Sequence, residues 1–132
     1  MKKISLVVLA GLVAFSIIGC GPSQGQAELE KLYKDSNTKI ADATEALKAA
    51  KTADEAVKAL ETGFAALQDM AKKEEAILKQ YPSTRESESL KKLQADVTKI
   101  SEAFTAEFMP LMNKFMGDKK VMDAMDKLSK VK

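Results

Sequence analysis

Apolar residues recur in alternating steps of four and three from Leu29 onward, and the pattern restarts after each of two Thr/Ser-x-x-Glu signatures; this repetition narrows the fold more than anything else in the chain. Leu29, Tyr33, Ser36, Ile40, Ala43, Leu47 and Ala50 trace one face of a first helix beginning near Ala27, in a stretch rich in the strong helix formers Ala, Leu, Lys and Glu. Asp35-Ser36-Asn37-Thr38 is its weak patch, where side chains compete with the backbone for hydrogen bonds and leave room for a local bend, although the apolar repeat runs through it. Thr52-Ala53-Asp54-Glu55 fits a capping box and predicts a second helix with Val57, Leu60, Phe64, Leu67, Met70 or Ala71, Ile77 or Leu78, and Tyr81 on its apolar face. Pro82 stops it.

Ser83-Thr84-Arg85-Glu86 reads as a further capping box, followed by the stripe Leu90, Leu93, Val97, Ile100, Phe104, Phe108, Leu111 and Phe115. Pro110 lies inside this third helix, cannot donate to the carbonyl of Ala106, and predicts a kink or break near Phe108 to Pro110. Gly117-Asp118 ends the segment, and a short fourth helix carries Val121, Met122, Met125 and Leu128. The capped turns fold the chain back on itself instead of extending it into a long coiled coil. Residues 27–132 are therefore expected to form an all-α, antiparallel three- to four-helix bundle with its third helix kinked near Pro110. Eight acid–base pairs at i,i+4 (Glu30/Lys34, Asp35/Lys39, Asp54/Lys58, Asp69/Lys73, Glu75/Lys79, Glu88/Lys92, Asp123/Lys127 and Asp126/Lys130) place charge on the outer faces, each with the acid first.

Before the helices, Lys2 and Lys3 precede an apolar run from Ile4 to Phe15, and Ile17-Ile18-Gly19 precede the one cysteine of the chain, Cys20. This arrangement resembles a bacterial lipoprotein signal peptide with its lipobox. The resemblance implies a leader, 1–19, that is cleaved, a diacylglyceryl group on the Cys20 thiol, and a lipidated Cys with a short tether over 20–26. It also implies an extracytoplasmic protein held to a membrane by lipid. Gly21, where an Asp would favour inner-membrane retention, makes the outer membrane the expected location in a bacterium with two membranes. Cys20 then serves as an anchor, and since one acyl chain binds a bilayer only marginally, more than one chain is needed for stable attachment.

Removal of the leader takes Lys2 and Lys3 with it, so the 21 basic residues become 19 against 19 acidic ones. A neutral domain lacks the basic footprint of a nucleic-acid binder. The tail from Lys119 to Lys132 holds a local excess of Lys, expected to be a solvated helix end.

The chain contains no His, and its single Cys is assigned to lipid. His-based triads, Cys nucleophiles, ordinary zinc sites and His-ligated haem all need residues that are missing. The exclusion bears on Ala53 to Val57, Ala59-Leu60 and Ala65-Ala66, where the second helix resembles the four-helix b-type cytochromes of the periplasm. That likeness implies a bundle, while the missing axial His excludes haem. A terminal Lys132 is similarly found in the murein-linked helical lipoproteins, but Leu128-Ser129-Lys130-Val131-Lys132 lacks their aromatic-basic ending, so covalent wall attachment is not expected. Glu74-Glu75 and Glu86/Glu88 are acids close in sequence, read as solvated; Glu74 falls on the apolar stripe and either snorkels or pairs with a Lys of a neighbouring helix. No catalytic residues and no cofactor are assigned.

Methionine is the unusual component. Met109, Met112, Met116, Met122 and Met125, five of the seven in the chain, flank Pro110 and Gly117. Met fills irregular cores, and the junction of a kinked helix with a short return helix is such a place, so core packing is the expectation. Two alternatives stand beside it: a partner-binding surface, and a thioether site for Cu(I). The functional expectation is a lipid-anchored, non-enzymatic binding or scaffolding module of the cell envelope with a protein partner there, the alternative being a methionine-rich copper-binding lipoprotein.

Overall fold

Twenty-six residues from Gln24 to Ala49 form one uninterrupted helix, α1, because Ser23 caps its start and no Pro or Gly breaks its interior after the first turn. In the computed structural model residues 23–130 are described, Arg85 and Glu86 by their backbone alone. The leader 1–19, Cys20, Gly21, Pro22 and Lys132 lie outside the described residues. The Ser23 hydroxyl accepts from the Gln26 N–H at 3.3 Å, so α1 begins three residues before Ala27 and takes up Gln24 to Gln26, which the sequence reading placed in the tether. The weak patch at Asp35 to Thr38 stays helical: Ser36 is buried on the seam, and the Thr38 hydroxyl bonds back to the Lys34 carbonyl at 3.1 Å.

All seven positions of the predicted stripe, Leu29 through Ala50, are buried. This face is central, since α1 packs against both α2 (Ala53–Gln80) and α3 (Glu88–Ala106). The α1–α2 hairpin turns within three residues, and the Thr52 capping box is complete, with the Glu55 N–H reaching the Thr52 hydroxyl at 3.3 Å and the Glu55 carboxylate accepting from the Thr52 N–H at 3.2 Å. The same carboxylate takes the Lys51 N–H at 2.7 Å, and these two backbone donors hold its pKa below the usual value.

The buried seam of α2 differs from the predicted one. Ala56, Ala59, Leu60, Gly63, Ala66 and Met70 are the buried residues, while Val57, Phe64 and Leu67 are half-buried at its flank. Gly63 makes room for the Phe104 ring of α3, and the larger Val57, Phe64 and Leu67 pack against the same cluster from its flank. At Gly63 a Cβ would stand 2.2 Å from the Phe104 ring, so that position admits only glycine unless the ring moves.

The predicted capping box at Ser83 is not the start of α3. Pro82–Glu86 is a 3-10 turn, built on Thr84 N–H to Tyr81 O at 3.1 Å and Ser87 N–H to Thr84 O at 3.4 Å, and α3 begins after Ser87. Pro82 favours such a turn by fixing φ at its first position. Thr84 is buried, and Gly25 of α1 lies so near Tyr81 and Thr84 that a Cβ there would fall 2.5 Å from Tyr81 Cβ.

The expected disruption near Pro110 is a full break. α3 ends at Ala106, and α4 (Phe108–Lys114) begins after Glu107, whose N–H still reaches the Phe104 carbonyl; Pro110 thus sits in the first turn of a new helix, where its missing donor has no helical partner to satisfy. Gly117, with φ of 84°, turns the chain after α4, and Asp118 caps α5 (Lys119–Ser129) by accepting from Lys120 N–H at 2.9 Å. α5 packs on α2. The result is an all-α bundle with three long helices and a short fourth layer at one end.

Two apolar clusters run along it, both touched by Leu67. At the end closed by the α1–α2 turn, Leu47, Ala56, Leu60, Phe104, Leu111 and Val121 form the larger cluster. At the open end, Leu29, Tyr33, Met70, Leu90 and Val97 form the smaller. No helix among the described residues is long and apolar enough to cross a membrane.

Candidate functional site

The chain after Phe104 builds the closed end from aromatic rings inward and methionines outward. Phe64 of α2, Phe104 of α3 and Phe108 of α4 meet with centroids 5.4 to 5.8 Å apart, two contacts edge-on and one stacked. Phe108, Leu111 and Phe115 share the inward face of α4. Lys114 fastens the helix to the hairpin by donating to the Ala50 carbonyl, and its ammonium stands 5.7 Å from the Phe115 ring centroid. Lys120 of α5 pairs with Asp54 at 2.7 Å, tying the fourth layer to the start of α2; the carboxylate raises the Lys120 pKa through their hydrogen bond.

With the core face so defined, Met109, Met112 and Met116 fall one residue after Phe108, Leu111 and Phe115, rotated by about 100° around the helix. Met109 and Met116 are 71% and 80% exposed, Met112 is half-buried, and Met122 on α5 is 44% exposed. Only Met125 of the five packs against the apolar cluster. The expectation that this group fills an irregular core is therefore corrected for Met109, Met116 and Met122: the Phe residues occupy that space, and the thioethers face solvent. α5 packs chiefly on α2. Met109 and Met112 stand on α4, Met116 in the turn that follows it, and Met122 and Met125 on α5.

A second arrangement lies at the open end. Tyr33 of α1 donates to Glu74 Oε1 of α2 at 2.8 Å, and Gln94 Nε2 of α3 donates to the Tyr33 oxygen at 3.0 Å. Glu74 thus finds a buried phenol and an amide in place of a Lys. Burial pushes the Tyr33 pKa up to about 12, and the Glu74 carboxylate adds to the rise while the Gln94 hydrogen bond opposes it. Nearby, Gln26 donates to Ser89 at 2.8 Å and Ser89 to Glu30 at 3.0 Å, so Glu30 engages a neighbouring helix and is held below the usual carboxylate pKa by the Gln26 and Ser89 hydrogen bonds. Three of the eight predicted pairs, Asp69–Lys73, Glu75–Lys79 and Asp126–Lys130, form ion pairs, whereas Asp54 turns to Lys120 and Glu88 to Lys91.

The chain has no His and one Cys, and among the described residues no three His, Cys, Asp or Glu side chains gather as a metal site. Cys20, the lipidation residue of the sequence reading, lies outside the described residues. The Tyr33–Glu74–Gln94 relay escaped the sequence reading; an acid at a core-facing position of α2 was its only signal. Comparison with family models, with curated proteins and with solved structures finds no match.

Proposed function

We propose that this protein is a lipid-anchored, non-enzymatic binding or scaffolding module of the bacterial envelope, with its partner face at the methionine-bearing closed end. The observation that carries the reading is the exposure of Met109, Met116 and Met122 beside a filled aromatic core. Large apolar side chains left outside a core that has no room for them suit an adaptable protein contact.

The anchor supports the same orientation. α1 starts at Gln24, so a lipid on Cys20 is joined to the bundle through Gly21, Pro22 and Ser23 alone, a reach of no more than ~14 Å. The open end then stands next to the bilayer. The 26 residues of α1 carry the closed end about 40 Å farther out, beyond the head groups and within reach of other envelope proteins. Fractionation with mass spectrometry of the Cys20 peptide tests the lipid and the expected outer-membrane location.

A photocrosslinker at exposed Asn113, between Met112 and Met116, is expected to capture one discrete envelope protein in intact cells, while the same group at Lys72 near the open end captures none. No adduct at position 113, together with no envelope defect on deletion, would overturn the proposal. A hydrolytic or transfer activity abolished by a single Ser, Asp or Glu change would replace it with an enzyme.

The spacing of Met109, Met112 and Met116, three and four residues apart across the end of α4, also favours a second reading, a soft-metal site, because thioethers bind Cu(I) without deprotonation. Titration of the purified domain with Cu(I) or Ag(I) decides it, and absence of stoichiometric binding ends it.

A further inference from the structure

Six methionines follow the leader, and the fold sorts them by access to solvent. Met109 and Met116 are 71% and 80% exposed and Met122 is 44% exposed, Met112 and Met125 are half-buried, and Met70 retains only 8% in the seam of α2. A thioether is oxidised in proportion to the access an oxidant has to sulfur, and the product sulfoxide is polar where the thioether was apolar. In a buried position that change breaks packing. At Met109 on α4 and Met116 in the turn after it the change does not, because Phe108, Leu111 and Phe115 hold this segment to the core.

We propose that Met109, Met116 and Met122 form a reversible oxidation site for small peroxides, which converts the closed end from an apolar to a polar surface while the bundle stays folded. The consequence for a partner rests on the reading of this end as the binding face. In the reaction the sulfur lone pair attacks the terminal oxygen of the peroxide, an S–O bond forms, and the O–O bond breaks with departure of hydroxide. The hydroxide takes the proton from the new S–OH group and leaves as water. Sulfur is oxidised by two electrons and the peroxide is reduced by two. A dithiol reductant reverses the step: its two thiols become a disulfide and the sulfoxide oxygen leaves as water. With no His and a single Cys in the chain, few other side chains compete for the oxidant.

The test is a time course of the purified mature chain in hydrogen peroxide, read by peptide mass spectrometry beside a thermal melt. Sulfoxide is expected at Met109 and Met116 about tenfold faster than at Met70, with Met122 between them. The melting midpoint should hold while the first three are oxidised, and methionine sulfoxide reductase with dithiothreitol should restore the original masses. Equal rates at Met70 and Met109, or a midpoint that falls in step with oxidation of Met109, would overturn the proposal. A variant carrying Met109→Leu, Met116→Leu and Met122→Leu keeps the surface apolar and supplies the matching control. Its retention on a hydrophobic-interaction column should not change with peroxide, whereas that of the parent should shorten. Failure of Asn113 to capture a partner bears on the binding reading alone, since the sulfoxide map decides the present one.

Discussion

Around Phe104 the helices meet through ring carbons and alanines, whereas around Tyr33 they meet through a hydroxyl, a carboxylate and an amide, one from each of α1, α2 and α3. The closed end has an apolar cluster drawn from all five helices, with α4 and α5 laid over the hairpin; the cluster of the open end is drawn from the three long helices. Dry packing rewards any arrangement that fills space. Hydrogen bonds of 2.8 and 3.0 Å reward one stagger of the helices and penalise its neighbours, because a buried phenol that loses its partners keeps its desolvation penalty. The bundle thus packs its larger apolar cluster at one end and joins its three long helices by hydrogen bonds at the other.

The largest expected effect tests the first half of that division. Phe104→Ala removes the ring at the centre of the aromatic group and should lower stability by about 3–5 kcal/mol in denaturant unfolding. Gly63→Ala should follow at about 1–3 kcal/mol through overpacking. Phe104→Leu in the same chain removes the ring atoms in the way, so the double variant should be more stable than the sum of the single effects predicts.

At the open end Tyr33→Phe should be milder, about 1–2 kcal/mol, since it deletes one hydroxyl while Gln94 still donates to Glu74 at 3.4 Å. Its pH signature is more diagnostic than its size. The folded pKa of Tyr33 is about 12, above the ordinary value of 10.0. The associated stability is therefore complete below pH 10 and lost as pH rises toward 12. Urea midpoints of the parent should fall across that window, and those of Tyr33→Phe should fall less. An equal decline in both would remove Tyr33 from the account. The smallest effect belongs to the hairpin turn, where Thr52→Ala should cost about 1 kcal/mol. Glu55 there has a lowered pKa, so its contribution is present above the ordinary value of 4.5 and disappears as pH falls through the depressed folded value. Glu55→Gln should flatten the acid limb of the stability profile.

The seven-residue seam of α1 was legible because a helix packed on two sides needs one continuous apolar stripe, and spacing alone finds it. On α2 the same reasoning chose Val57, Phe64 and Leu67 over Ala56, Gly63 and Ala66. Hydrophobicity favours the large side chains, but close approach of two helices favours the small ones, and which of these wins depends on the partner. Pro110 announced its break, since a missing donor is a local fact. The methionines misled for the opposite reason: their apolar character is local, while their exposure depends on where the Gly117 turn sends α5 and on three phenylalanines having already filled the space. At Ser83, the local signature of a cap lost to the 3-10 geometry that begins at Pro82 and lets Thr84 pack against Gly25.

The central place of α1 also has a consequence for how the chain comes to be folded. Its seam, from Leu29 to Ala50, is the wall on which both other long helices lie, and it is the first of the three to leave the ribosome. Until residues through Gln80 have emerged, that wall has nothing to cover it; once they have, the hairpin closes through contacts local in sequence and offers α3 a finished surface. The helix synthesised earliest is thus the one whose burial waits on both long helices made after it.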